Sequence, residues 1–396
     1  MSDGDDISNN FTDTEHILMR VLNVNSALGL KTGGGTAERT FQMSHFLAKH
    51  GVQCTVLALD IDLDGQRIQA LMPAKVVLLP CLWKRYYIPF TNWKSIRQLV
   101  EGADVIHLMV HWGILNALVY LAARIANKPY VVCPAGALPL FGRSIAIKRL
   151  YNFIIGNAII RNASAWIAVT KSEFPQFKAY GIDESKITVI PNGINIDNSP
   201  SAAPQVFTNK YGLPDSPIIL FMGRLNLIKG PDILLNAFIH AQKHIDGYHL
   251  VFVGPDGGML AMLQKQAQEA GVAEKVHFVG YVNGYDKSAA YHAAKLLVVP
   301  SRQEAMSIVA LEAMVCGTPV LLTDQCGFAE IKSISSNLEV AVDAEKISEK
   351  LVELLADEKR LKDIASCLKD FAISKYSWDH VIVSFLSLYK KILREQ

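Results

Sequence analysis

Short apolar runs rich in Val, Ile and Leu punctuate the chain in two successive series, each run separated from the next by an amphipathic stretch. The first series covers 16–24, 54–60, 75–80, 104–109, 130–136, 165–170 and 187–193, and the second covers 217–223, 248–254, 276–280, 295–301, 319–324 and 338–343. β-branched runs of this length, alternating with helical segments, predict parallel strands covered on both faces. Each series therefore predicts one doubly wound α/β domain. Between them, DNSPSAAPQ after Ile196 lacks periodicity and reads as a linker. At 396 residues the chain also exceeds what one core of roughly 250–300 residues can hold. The expected division is an acidic tail over 1–14, a first domain over 15–198, a linker over 199–208, a second domain over 209–377, and a final helix over 378–396 packing on either domain. Ligands of such sheets bind just outside the carboxyl ends of the strands. The cleft between the two domains is the expected site.

Composition removes several function classes. A net charge of +2 gives no field that argues for nucleic acid. The six cysteines show no CxxC pair and no metal-ligand spacing, which fits reduced thiols in a cytosol. The first residues, MSDGDDISNNFTDTEH, lack the basic and apolar regions of a signal peptide. No apolar stretch reaches the ~20 residues of a membrane span, so a cytoplasmic protein is expected, with any membrane contact peripheral.

The most informative segment is PSRQEAMSIVALEAMVCGTPVLLTD. A strand ends at Pro300-Ser301, a loop presents Glu304, and a helix beginning near Ser307 carries Glu312. A helix N-terminus offers unpaired N–H groups to a pyrophosphate or to sugar hydroxyls, and carboxylates accept hydroxyl hydrogen bonds. Two glutamates taken alone would favour a plainer reading, a helix-start acid and a solvated helix residue. A second segment, FMGRLNLIKGPDILLNAF, places Arg224 directly after a strand ending in Gly223, and Lys229 just before the next helix. A planar guanidinium and a point-charge ammonium are complementary holders of a diphosphate.

Together these segments resemble the retaining nucleotide-sugar glycosyltransferases of family 4, which carry an E-x7-E pair followed by a small-Gly-x-Pro-Val turn, here Cys316 to Val320, and a G-R-x(4)-K-G diphosphate site. The resemblance implies the GT-B fold, two Rossmann-like domains facing across a cleft. It implies that Glu304 contacts the transferred sugar, Glu312 the ribose, and Arg224 and Lys229 the diphosphate. Donor binding would further involve Gly223, the loop residues Ala305, Met306, Ser307 and Ile308, and backbone at Tyr281 and Val282 beside the base.

In the first domain, Gly33, Gly34 and Gly35 stand before a helix, where glycine lets backbone approach a phosphate. In the family this loop covers the donor diphosphate or the acceptor. Glu38 stands where a dinucleotide fingerprint requires Gly or Ala, so NAD is not expected despite Asp60 at the next strand end. In DVIHLMVHWG, His107 reads as structural, while His111 lies past the strand and corresponds to a cleft histidine of the family that touches the sugar. Ala135 departs from the histidine or arginine that many relatives carry there. Asn192-Gly193 reads most simply as a turn, and the DIDLD run over 60–64 as a solvated loop rather than a metal motif.

Segments 82–98 and 142–162 mix cations with aromatic and aliphatic residues. They suit an anionic membrane surface or a face buried beneath neighbouring loops, and both readings are open. The expected activity is retaining transfer of a hexose from a nucleotide diphosphate sugar, UDP-glucose-like by default, to a saccharide or lipid-linked acceptor in polysaccharide or glycolipid biosynthesis. No metal and no cofactor are expected, because the Arg/Lys pair supplies the countercharge. The alternatives are a sugar-nucleotide epimerase of the same fold and a non-catalytic sugar-nucleotide-binding protein.

Overall fold

The computed structural model describes residues 19–63, 65–140, 144–198, 201–282 and 284–396. The tail over 1–14, residues 199–200 of the linker, Asp64 of the acidic run and residues 142–143 lie outside them.

The first half contains β1 (Arg20–Val24), β2 (Gln53–Leu59), β3 (Lys75–Leu79), β4 (Cys81–Trp83), β5 (Ile88–Pro89), β6 (Val105–Met109), β7 (Tyr130–Cys133), β8 (Ala165–Ala168) and β9 (Ile187–Val189). Seven of these form a parallel sheet in the order β3-β2-β1-β6-β7-β8-β9. The second half contains β10 (Ile218–Met222), β11 (His249–Val253), β12 (Val276–Gly280), β13 (Ala294–Val299), β14 (Val320–Thr323) and β15 (Glu339–Val340). They form a second parallel sheet, in the order β12-β11-β10-β13-β14-β15. Each apolar run of the sequence overlaps one of these strands. The short antiparallel ribbon β4-β5 was not anticipated, because strands of three and two residues are too short to show a period.

Burial follows from topology. The inner strands β6 and β10 are buried at every position, as a sheet covered on both faces requires, whereas the edge strand β12 is largely half-buried. In both sheets the strand order reverses beside the first strand, between β1 and β6 and between β10 and β13. Those switch points open crevices at the carboxyl ends of the strands.

Two details differ from the sequence reading. The glycine run does not precede the first helix but lies inside Leu30–Lys49, which begins a turn earlier and is broken at Gly34, with φ of 55° and ψ of −142°. The chain from residue 204 is already the helix Pro204–Tyr211, so only part of the expected linker is irregular.

The last helix, Trp378–Arg394, lies on the first domain. Trp378 stacks on Phe46 with ring centroids 6.0 Å apart, Phe385 lies beneath the Arg39 guanidinium at 5.4 Å, and Tyr389 OH shares a 2.5 Å hydrogen bond with His107 Nδ1. His107 is fully buried, and burial pushes its pKa down to about 3, so it is a neutral structural residue. Where the chain crosses back, Ile194 N–H donates to Tyr376 O at 2.7 Å and Trp378 N–H to Ile194 O at 3.1 Å.

Candidate active site

The strand–loop–helix junctions after β10 and β13 build the second-domain side of the cleft. After β10 the chain passes Gly223 and Arg224, and Gly230 caps helix Pro231–Ala241 with proline in its first turn, where the missing N–H costs nothing. After β13 it passes Pro300 and Ser301, and the Ser307 hydroxyl caps helix Ile308–Val315 by accepting from Ala310 N–H at 3.3 Å. Because β10 and β13 are neighbours, these loops lie side by side. Arg302 joins them: its N–H donates to Ile228 O at 2.7 Å, and its guanidinium forks onto Asp232 at 2.8 and 2.6 Å.

Glu304 is held from both sides. Lys229 Nζ lies 2.7 Å from its Oε1, and Ser301 Oγ donates to its Oε2 at 3.1 Å. Its backbone N–H donates to Gln325 O at 2.9 Å. Gly327 lets this loop seat: its φ is 63°, and a Cβ there would come within 1.7 Å of Ala305 O. Arg224 is exposed and runs along Gly257, where a side chain would collide with its Cγ.

Glu312, eight residues on, occupies a different niche. Lys287 Nζ meets its Oε1 at 2.5 Å and Tyr291 OH donates to its Oε2 at 2.6 Å. Burial works against the Lys287 charge, but the adjacent Glu312 carboxylate outweighs it and raises the ammonium above its ordinary pKa. Lys287 and Tyr291 stand one turn apart on helix Gly284–Ala293 and were not singled out from the sequence. Their i, i+4 spacing was the available signal. Beside them a small cavity draws Glu38 and Gln42 from the first domain and Lys287, Tyr291, Ile308 and Glu312 from the second. Tyr281 and Val282 follow the carboxyl end of β12, the first exposed at 39% and the second buried.

The first domain closes over the Glu304 loop. Asn192 Nδ2 donates to Met306 O at 2.9 Å and Thr170 Oγ1 to Ala305 O at 3.3 Å. A Cβ on Gly35 would touch Ile308 Cδ1 at 3.5 Å, so the glycine run lies against the donor-side helix start. Asn192 is more than a turn residue: its Oδ1 accepts from Arg39 Nη1 at 2.9 Å, while the same guanidinium, 1% exposed, donates to Pro191 O and Ile190 O at 2.7 and 2.8 Å.

His111 lies at the carboxyl end of β6 but is nearly enclosed, at 1% exposure, among Trp112, Tyr151 and Tyr180. Its Nε2 shares a 2.8 Å hydrogen bond with Asn152 Oδ1, and burial pushes its pKa down to about 4. The ring is neutral near pH 7. Nearby, Glu173 is buried at 1% exposure, and neither carboxyl oxygen has a well-formed hydrogen bond. Burial pushes it up to about 7, with the Gly136 amide, the Arg39 charge and the Val169 amide offsetting this only in part.

Two facing Rossmann-like domains, with paired cations and carboxylates at the carboxyl ends of the second sheet, define the GT-B class of nucleotide-sugar enzymes. Residues 206–367 match the family described as glycosyl transferases group 1, and residues 33–198 match glycosyltransferase family 4. The chain is 30% identical to D-inositol 3-phosphate glycosyltransferase of Xylanimonas cellulosilytica, over 74% of this chain and 73% of that protein. It is 28% identical to phosphatidyl-myo-inositol mannosyltransferase of Mycobacterium leprae, over 91% and 93% of the two chains. In structure it resembles Anabaena HepE in complex with UDP and glucose, with a TM-score of 0.75 at 17% identity over 94% of this chain and all of that one. Sucrose-phosphate synthase of Thermosynechococcus elongatus also superposes with a TM-score of 0.75, at 20% identity over 96% of this chain and all of that one. The chain belongs to the group 1, family 4 glycosyltransferases.

Proposed function

We propose that this glycosyltransferase moves a hexose, with retention, from a nucleotide diphosphate sugar to a saccharide or lipid-linked acceptor in polysaccharide or glycolipid assembly at the cytoplasmic face of a membrane. The observation that carries the reading is the Lys229–Glu304 contact of 2.7 Å, made in a loop that Asn192 and Thr170 of the first domain reach. It supports the reading because a cation for the diphosphate and a carboxylate for the sugar must lie side by side to hold the two ends of a sugar–phosphate bond.

In this reading Arg224 and Lys229 hold the diphosphate, and Glu312 accepts the ribose hydroxyls between Lys287 and Tyr291. Backbone at Tyr281 and Val282 borders the base, Gly223 and the Ala305–Ile308 loop border the phosphates and sugar, and the Gly33–Gly35 run covers them. The acceptor hydroxyl oxygen bonds to the anomeric carbon as the bond to phosphate breaks, and the departing phosphate oxygen takes the acceptor proton. The two cations stabilise the charge that develops on the leaving group, without a metal ion. Glu304 orients the hexose, whereas His111, enclosed among Trp112, Tyr151 and Tyr180, is not placed to touch it. UDP is the nucleotide we favour, supported by the UDP and glucose held by the structurally similar Anabaena HepE.

The test is calorimetric titration of the full chain with UDP, GDP and ADP in the presence of chelator, beside Arg224→Ala. Binding of one nucleoside diphosphate that the substitution weakens supports the assignment and names the base. Equal binding by wild type and variant overturns the diphosphate site.

A further inference from the structure

Large apolar side chains stand in water at one part of this molecule in unusual concentration. In the β4-β5 ribbon and the turn after it, Leu82, Trp83 and Phe90 are exposed at 65%, 55% and 63%. In the helical stretch after β7, Leu150, Phe153 and Ile154 are exposed at 57%, 85% and 68%. A soluble surface tolerates scattered apolar residues but not clusters of this kind without a partner.

Both groups adjoin helix Ile114–Ile125. β5 packs against helix Ile114–Ile125, whose own Leu121 and Ile125 are exposed at 42% and 63%. The same helix start receives the second group: Tyr151 OH donates to Gly113 O at 3.1 Å, and Lys148 Nζ lies 5.3 Å from the centre of the Trp112 ring. All three segments leave the carboxyl ends of strands β3, β6 and β7, the edge of the first sheet that faces the cleft.

Charge identifies the occupant. Residues 81–98 contain Lys84, Arg85, Lys94 and Arg97 and no acid, and residues 144–162 contain Lys148, Arg149 and Arg161 and no acid, in a chain whose net charge is only +2. Arg97 is neutralised by Glu101 at 2.6 Å and Arg161 is tied to Tyr180 O, whereas Lys84, Arg85, Lys94 and Arg149 lie exposed among the apolar groups. Exposed aromatics interleaved with unpaired-sign cations match the interface of an anionic bilayer, where rings sit at headgroup level and cations meet lipid phosphates. Among the described residues no helix is long and apolar enough to cross a membrane, so contact is at the surface.

We infer that this face of the first domain docks on an anionic phospholipid bilayer, so that the acceptor entering the adjoining cleft is anchored in that bilayer. The acceptor part rests on the glycosyl-transfer reading; the docking part does not. Of the two readings left open by the sequence of 82–98 and 142–162, the exposure of Leu82, Trp83, Phe90, Leu150, Phe153 and Ile154 speaks against burial beneath neighbouring loops.

The test is co-sedimentation of the full chain with vesicles of phosphatidylcholine alone and of phosphatidylcholine and phosphatidylglycerol in equal parts, with Trp fluorescence recorded in parallel. Binding to the mixed vesicles only is expected, with a blue shift that Trp83→Phe diminishes. The Lys84→Glu/Arg85→Glu pair should weaken binding by about thirtyfold or more, at roughly fivefold per cation near the surface. Phe153→Ser should weaken it independently. Both sites are exposed, so unchanged circular dichroism and nucleotide binding are expected of each variant. Absence of binding to either vesicle, or variants that bind as wild type does, overturns the inference. So does a dimer in lipid-free sedimentation that Phe153→Ser dissociates, because a second copy would then cover the face. Vesicle binding without any nucleotide binding would leave docking standing and defeat the transferase reading alone.

Discussion

Asn192 links the first domain to the Glu304 loop, and its replacement separates stability from donor binding. Its Oδ1 accepts from the buried Arg39 guanidinium at 2.9 Å and its Nδ2 donates to Met306 O at 2.9 Å. A hydrogen bond to a charged partner contributes roughly 1.5–3 kcal/mol and a neutral one about 1 kcal/mol, so Asn192→Ala should cost roughly 2–4 kcal/mol. Arg39 keeps the Pro191 and Ile190 carbonyls, which limits the loss to that range. Asn192→Asp is the discriminating variant. It retains the acceptor for Arg39 but removes the donor and sets a carboxylate oxygen against the Met306 carbonyl, two residues from Glu304. Denaturant unfolding should show Asn192→Ala clearly destabilised and Asn192→Asp less so, because a carboxylate pairs more strongly with Arg39 and offsets part of the bond lost to Met306. The apparent KM for the donor should rise roughly fivefold to tenfold in Asn192→Asp, the equivalent of losing one bond and gaining a repulsion. An Asp variant with wild-type donor KM, or an Ala variant of unchanged stability, would refute the clamp.

Glu304→Ala and Arg224→Ala should each abolish transfer while unfolding curves stay unchanged; normal turnover in either removes the site assignment. Chelator should leave the initial rate intact, and a loss restored by Mg²⁺ or Mn²⁺ would contradict the proposed metal-free chemistry. Lys287→Gln should raise the donor KM with little change in kcat, because it releases one oxygen of Glu312 from its 2.5 Å partner; equal KM values would show that Lys287 does not position Glu312. Glu173, pushed up from 4.5 to about 7, keeps its proton in the folded chain where the unfolded chain has lost it. Stability from this group is present at low pH and lost as pH rises from about 4.5 through about 7, on the order of 3 kcal/mol in all. Glu173→Gln should flatten that slope, which urea unfolding at a series of pH values reads directly.

What could be read from the sequence was what lies within one strand–loop–helix unit. The Gly223-Arg224 to Lys229-Gly230 spacing and the Glu304 to Glu312 spacing each belong to a single junction, so the sequence places their members locally, while the resemblance to family 4 supplies their roles. The roles of Lys287 and Tyr291 depend on how helix Gly284–Ala293 packs beside helix Ile308–Val315, which no local period encodes. Asn192 was legible most simply as a turn, with lining the cleft as the lesser reading, because its partners Arg39 and Met306 are 153 and 114 positions away. The glycine run misled for a local reason. Glycines usually punctuate a helix start, but here Gly33 N–H already donates to Gly29 O at 2.8 Å, and the break falls at Gly34 inside the element.

The ion pairs of the cleft give the Glu304 prediction a second, opposite sign. Lys229 is paired with Glu304 and Lys287 with Glu312. In the proposed site a diphosphate would draw Lys229 away from Glu304, leaving the carboxylate to accept hexose hydroxyls. The exchange costs little only when phosphate and sugar arrive together, which favours the intact donor over the free nucleoside diphosphate. Removing the carboxylate therefore frees Lys229 for phosphate while depriving the hexose of its partner. Glu304→Ala should bind a free nucleoside diphosphate as tightly as wild type or more tightly, and lose transfer altogether, whereas Arg224→Ala should lose both. Calorimetry on the two variants separates these outcomes. A Glu304→Ala protein that binds nucleotide distinctly more weakly would show that the carboxylate supports the phosphate site rather than competing for its lysine.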